Sequence, residues 1–207
     1  MNRRPSKTSA PASPPPGHVR IIGGRWRGSK LPVVHVDGLR PTADRVRETL
    51  FNWLQLEVAG ARALDLFAGS GALGLEAASR GASQVDLVEA AIAAASSLRE
   101  SVERLRSSQP AGASPARVAV HHAQAASYLE HAARSGATWD LVFVDPPFAA
   151  GLWTATLTAL VPCLAPRAHV YVESGVDTVL TPPAAWRLHR EVATRDVRAR
   201  LYRVEPG

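Results

Sequence analysis

The chain is predicted to adopt an α/β fold: a doubly wound parallel sheet ending in an antiparallel hairpin, with a small hairpin-and-helix extension at the N-terminus. Three observations predict this. From Ala63 to Glu173, short apolar runs alternate with stretches whose apolar residues recur at helical spacing. Gly69, Gly71 and Gly74 close the first of those runs as a strand-to-helix turn. Finally, Trp186 to Val192 and Val197 to Val204 are separated only by Ala193-Thr194-Arg195-Asp196. That gap leaves no room for a crossover helix, so the two stretches pair antiparallel.

Residues 1–17 are rich in Pro, Ser, Ala and Arg without apolar period, and read as a disordered arm. Its Arg3, Arg4 and Lys7 suit non-specific attraction to phosphates. An extension over 18–58 follows. Val19-Arg20-Ile21-Ile22, Gly23-Gly24 and Lys30-Leu31-Pro32-Val33-Val34 read as short strands around glycine turns, ended by Arg40-Pro41. Thr42 is placed to cap a helix reaching about Leu56, with Val46, Leu50, Trp53 and Leu54 on one face and Arg45, Arg47 and Glu48 turned away.

The main domain spans 59–207. Its expected strands are 63–67, 84–89, 117–121, 140–145 and 168–173; its expected helices are 73–79, 92–106, 124–135 and 151–161. A Pro/Gly/Ser loop fills 107–115, and the terminal hairpin completes the sheet.

Composition narrows the function. No apolar run approaches the roughly 20 residues that span a bilayer, so no membrane partner is expected. The proline-rich start replaces any apolar signal segment, which points to the cytoplasm. The single cysteine, Cys163, excludes an internal disulfide and a cysteine-rich zinc site, and its apolar setting reads as a buried structural thiol. His121 and His122 are strand neighbours on opposite faces, so no metal site is expected from them. Charge is unevenly placed. Residues 1–47 carry ten Lys and Arg against two acids, whereas 48–207 carry fourteen against sixteen. A positive pole on a near-neutral domain fits a polyanionic partner such as nucleic acid.

Two motifs carry chemistry. In Asp65-Leu66-Phe67-Ala68-Gly69-Ser70-Gly71-Ala72-Leu73-Gly74, the glycines permit a tight turn, close approach of backbone to ligand and close helix packing. Glu89 closes the next strand, where it accepts hydrogen bonds from ribose hydroxyls. These features suit a nicotinamide cofactor equally well. Asp65 distinguishes the two: a carboxylate four residues before the first glycine suits the ammonium of S-adenosylmethionine and repels a pyrophosphate, while amides at the helix start receive the methionine carboxylate. The alternative for Asp65 is a structural cap of the loop.

The second motif is Asp145-Pro146-Pro147-Phe148, released at the end of the apolar run Trp139 to Val144. Two prolines fix the turn and make the Asp145 carboxylate and Pro146 carbonyl a rigid pair of acceptors. A base amino group has a delocalised lone pair and attacks poorly. Holding both its N–H bonds bends the nitrogen toward tetrahedral geometry and aims the lone pair at a sulfonium methyl. Phe148 is placed to stack on the base.

With both motifs in order, the chain resembles the bacterial 16S rRNA (guanine(966)-N2)-methyltransferase family from Arg20 to Val204. The resemblance rests on Arg20-Ile21-Ile22-Gly23-Gly24, Trp26-Arg27-Gly28, Leu39-Arg40-Pro41-Thr42, Asp44 through Leu54, the glycine loop, Phe143 through Phe148, Tyr171-Val172-Glu173 and Leu201-Tyr202. It implies a Rossmann-like class I S-adenosylmethionine-dependent methyltransferase acting as a monomer on 16S rRNA in an assembling small ribosomal subunit, without a metal. It implies catalytic roles for Asp145, Pro146 and Phe148. It places Asp65, Phe67, Gly69, Gly71, Gly74, Glu89 and Thr42 at the cofactor, with Gln124 where the family pattern has Asp or Asn for the adenine amino group. Ala90-Ala91 stand where the family often has a second polar residue after the ribose-binding Glu89. Arg20, Arg25, Trp26, Arg27, Lys30 and Arg40 are implied as the RNA platform. Trp26 suits stacking or the core beneath the hairpin; Arg45 and Arg47 suit phosphate contacts or ion pairs with neighbours such as Glu48.

Overall fold

The computed structural model describes residues 17–34, 44–108 and 116–205. The expected arm (apart from Gly17), Arg40-Pro41, Thr42 and most of the 107–115 loop lie outside the described residues.

The extension opens with β1 (His18–Arg20) and β2 (Lys30–Pro32), paired antiparallel with Val19 opposite Leu31. Gly24, in the turn between them, takes left-handed backbone at φ +76°. It also packs so closely on Ser79 that a Cβ would fall 2.0 Å from the Ser79 carbonyl oxygen. Helix α1 (Asp44–Trp53) is shorter than expected, and the chain continues in turns to Val58, whose N–H bonds back to the Leu54 carbonyl.

The main domain alternates as its apolar pattern requires. β3 (Arg62–Asp65), α2 (Ala72–Ser79), β4 (Gln84–Glu89) and α3 (Ile92–Ser107) come first. β5 (Arg117–His122), α4 (Ala125–Ser135), β6 (Trp139–Val144) and α5 (Trp153–Leu160) follow. β7 (Leu164–Gly175), β8 (Trp186–Ala193) and β9 (Val197–Val204) end the chain. Among the described residues these strands form a seven-stranded sheet in the order β5-β4-β3-β6-β7-β9-β8. β3 to β7 are parallel; β9 runs antiparallel to both β7 and β8. The strand order reverses between β3 and β6, and crevices for ligands open at such switch points, beyond the carboxyl ends of the strands.

Strands covered on both faces are near-continuously apolar, which is why the runs are legible in the sequence. One face buries Phe143, Tyr171 and Leu201 against Leu50 and Phe51 of α1 and Leu98 of α3. The other buries Val142, Val144 and Val172 against Leu129 of α4 and Trp153 and Leu157 of α5. Cys163 is fully buried in this second cluster, and burial pushes its thiol up, in keeping with a structural role.

Three further expectations are corrected. β7 begins at Leu164, four residues early, with a register shift against β6 between Trp139 and Leu141. α5 begins at Trp153 because a single 3₁₀ turn, Phe148–Ala150, and left-handed Gly151 intervene. Arg47 does not face outward: it is 0 % exposed. Its guanidinium is tied to Asp44, donates to the Arg20 carbonyl at 2.9 Å and reaches the Ala72 carbonyl at 3.5 Å. The partner is thus Asp44, one turn earlier, rather than Glu48.

Candidate active site

The glycine loop is fixed from both sides. Leu66 N–H donates to the Phe143 carbonyl at 3.1 Å, and Ala68 N–H to the Val88 carbonyl at 2.9 Å, so the loop is anchored to β6 on one side and β4 on the other. Gly71 takes φ +80°, and a Cβ there would sit 2.5 Å from Leu98. At Gly74 a Cβ would sit 2.2 Å from Leu87 and 3.1 Å from Asp65 Cβ. Left-handed backbone favours glycine at position 71, and close approach to the Leu87 and Asp65 side chains favours it at position 74.

Asp65, at the end of β3, is 1 % exposed. Its Oδ2 accepts the Gly74 N–H at 2.9 Å, in the first turn of α2. Burial pushes its carboxyl up to about 7, opposed by amide bonds from Gly74 and Phe67 and reinforced by the Glu89 charge. The structural cap and the cofactor role are compatible, because a carboxylate has about four acceptor sites, enough for these amides and an incoming ammonium. Glu89 stands at the end of β4 as expected, with Oε2 accepting from Gly69 N–H at 2.8 Å and Oε1 from Ala91 N–H at 2.7 Å. Gln124 is exposed at the start of α4, and its side chain makes no capping bond. Phe67 and Gly69 are half-buried. The strand order sets Gln124, Glu89, the loop and Asp145 in sequence across one rim of the sheet.

This donor set fits a cofactor with a cationic amino-acid end and a ribose. An incoming cation would favour the ionised form of a buried acid whose carboxyl otherwise holds its proton to about 7, and Glu89 presents a second, ordered carboxylate at the end of the adjacent strand, β4. Thr42 lies outside the described residues.

Asp145 follows β6 directly and is half-buried; Pro146 is buried. Phe148 is 40 % exposed, and its ring lies 5.8 Å from that of Trp153. Trp153 Nε1 donates to the Glu173 carbonyl at 2.8 Å, so the Phe148 ring rests on a tryptophan anchored to β7. The Tyr171 hydroxyl donates to Glu173 Oε2 at 2.7 Å. It is held well above its ordinary value by burial first, then by the charges of Glu173 and Asp145. The sequence offers Tyr171 and Glu173 only as part of a motif, with no role attached. Their period-two spacing on the strand beside Asp145 is the signal that finds them.

The extension places Arg20, Arg25, Arg27 and Lys30 on the surface. Trp26 is corrected: it is 5 % exposed within the core cluster, so it packs beneath the hairpin and offers no stacking face. Arg40 lies outside the described residues. Sequence reasoning misses the residue that docks this extension. Glu76, fully buried in α2, accepts the Ile22 and Gly23 N–H groups at 2.7 and 2.8 Å and Arg80 Nε at 2.7 Å. Its signal is a lone acid inside an otherwise apolar helix. His121 bonds Asp86 and His122 the Ala90 carbonyl, and among the described residues no group of side chains is arranged to hold a metal.

Residues 19–203 match the family described as Conserved hypothetical protein 95. The chain is 48 % identical over 192 residues to Ribosomal RNA small subunit methyltransferase D of Escherichia coli strain K12, covering 91 % of each. It superposes on the solved Escherichia coli protein yhhF with a TM-score of 0.79 at 45 % identity, covering 92 % of this chain and all of that one. A SAM-dependent methyltransferase from Agrobacterium tumefaciens shares the fold at 16 % identity and a TM-score of 0.64, with 95 % of this chain and 72 % of that one covered.

Proposed function

The chain belongs to the Conserved hypothetical protein 95 family, and from that premise we propose that it transfers a methyl group from S-adenosylmethionine to the exocyclic N2 of one guanine in 16S rRNA. The observation that carries this reading is the Asp145-Pro146-Pro147-Phe148 corner, set one strand from the glycine loop at the switch point of the sheet. The 48 % identical relative is named a small-subunit ribosomal RNA methyltransferase, which supports the substrate.

S-adenosylmethionine, when bound, supplies an electrophilic methyl on a sulfonium. Asp65 holds its ammonium, Glu89 its ribose hydroxyls, and Gln124 its adenine amino group. The Asp145 carboxylate and Pro146 carbonyl accept the two N–H bonds of the guanine amino group, and Phe148 stacks on the base. Held so, the nitrogen lone pair is freed from the ring. The nitrogen would accept the methyl that the cofactor supplies, and the proton it gives up would pass to the Asp145 carboxylate. Positioning and charge placement supply the rate, without a covalent enzyme intermediate. The protein works as a monomer in the cytoplasm on an assembling small subunit, where folded RNA presents the target to the basic extension.

Asp145→Ala tests the assignment. Transfer is expected to fall by at least about 100-fold while cofactor affinity stays within a few-fold. Parallel loss of both, measured by single-turnover transfer and calorimetric cofactor titration, would contradict it.

A further inference from the structure

Two carboxylates stand where the catalytic corner opens. β6 and β7 are parallel, with Phe143 opposite Tyr171 and Val144 opposite Val172, so the next residues in that register are Asp145 and Glu173. Residues at even spacing along a strand share a face, which puts both acids on the side of Phe143 and Tyr171, whose ring centroids lie 6.3 Å apart. The electrostatics agree, since the Tyr171 hydroxyl feels the charges of both Glu173 and Asp145. Glu173 is 4 % exposed and is oriented by the Tyr171 O–H at 2.7 Å. Its main chain is tied through Trp153 to the Phe148 ring. Stacking platform, amino-group acceptor and second carboxylate are therefore fixed relative to one another.

The reaction proposed above gives Glu173 no task, although this nearly buried carboxylate stands beside Asp145 in the register and is oriented by Tyr171. We propose that Glu173 reads the target base, accepting the ring N1–H of the guanine whose amino group is held at Asp145. This rests on the guanine-N2 reading. Guanine is the base whose amino group adjoins a ring N–H. The amino groups of adenine and cytosine adjoin unprotonated ring nitrogens, which would face the Glu173 carboxylate acceptor to acceptor. Guanine offers three donors along this edge, and the site supplies three acceptors: Asp145, the Pro146 carbonyl and Glu173. A carboxylate has about four acceptor sites, so it can serve the Tyr171 hydroxyl and the base together. Sites built around such a donor reject analogues lacking it by as much as about 10⁴-fold. Methyl transfer itself remains with Asp145; Glu173 confers selectivity.

The test uses small-subunit particles whose target guanine is replaced by 2-aminopurine, which keeps the amino group but has an unprotonated N1. The wild-type enzyme is expected to prefer guanine by at least about 100-fold in kcat/KM. Glu173→Gln keeps the shape and an acceptor for Tyr171 but turns an N–H toward the base. The guanine/2-aminopurine preference should fall at least about tenfold in the variant, with transfer to 2-aminopurine rising. The missing O6 of 2-aminopurine affects both enzymes alike and cancels in the comparison. An unchanged preference, or equal losses on both substrates, overturns the proposal. If Glu173→Gln loses its melting transition or cofactor binding, Tyr171→Phe replaces it: a reduced preference supports the role and an unchanged one overturns it. Absence of N2-methylguanosine from the wild-type reaction on guanine would sink the parent reading instead.

Discussion

Asp65 is the residue at which folding and the proposed cofactor binding meet. Its carboxyl loses its proton near 7 when folded, against an ordinary 3.8. The folded chain therefore holds an extra proton between those values. The stability this gives is fully present below the lower value and is lost as pH rises through about 7. Without cofactor, unfolding free energy should drop by a few kcal/mol from about pH 4 to pH 8, and Asp65→Asn should flatten that slope in urea titrations. A bound ammonium favours the ionised carboxylate. Cofactor binding at pH 6 should thus release a proton, with affinity rising toward pH 7 and then levelling; calorimetry in buffers of different ionisation enthalpy reads this directly. Proton uptake would contradict the interaction. Glu89 and Asp145 are legible in the sequence because each ends an apolar run. Arg47 is not: it shares the phase of Leu50 and Leu54, but an arginine reads as solvent-facing, and the acceptors that allow its burial, the Arg20 and Ala72 carbonyls, come from other elements.

At the scale of elements, the extension is bolted to the helix that follows the glycine loop. Glu76 and Ser79 of α2 hold the hairpin by its main chain: Trp26 N–H donates to Ser79 Oγ at 2.9 Å and Arg25 N–H to the Ser79 carbonyl at 2.8 Å. Glu76→Ala leaves two amides and Arg80 without their acceptor and should destabilise by about 3–5 kcal/mol. Trp26→Ala should cost about 3–5 kcal/mol through the cavity it leaves. Denaturant midpoints check both, and a neutral Trp26→Ala would return that ring to the surface. Strand order and the terminal hairpin follow from spacing and connection length, which are local. The docking of the extension does not, because it depends on main-chain amides meeting a side chain more than fifty residues away.

Across the whole molecule, charge and chemistry occupy different ends of one helix. The glycine loop opens α2, while the hairpin tip with Arg25 and Arg27 packs at its far end, about 12 Å on for eight residues at 1.5 Å each. Replacing Arg25 and Arg27 with Ala should reduce the slope of log affinity against log salt by about 0.7–0.9 for each phosphate no longer neutralised. An unchanged slope would move the RNA surface to another face. Cofactor affinity should stay constant in that variant, since neither residue is placed at the glycine loop.

Methyl transfer to the ribosomal RNA is the most direct measurement. Small-subunit particles without the modification, incubated with the protein and methyl-labelled S-adenosylmethionine, are digested and their nucleosides resolved. Label is expected in N2-methylguanosine at a single position of 16S rRNA, and none with Asp145→Ala. Label in any other nucleoside, or none while the cofactor binds, would contradict the assigned reaction.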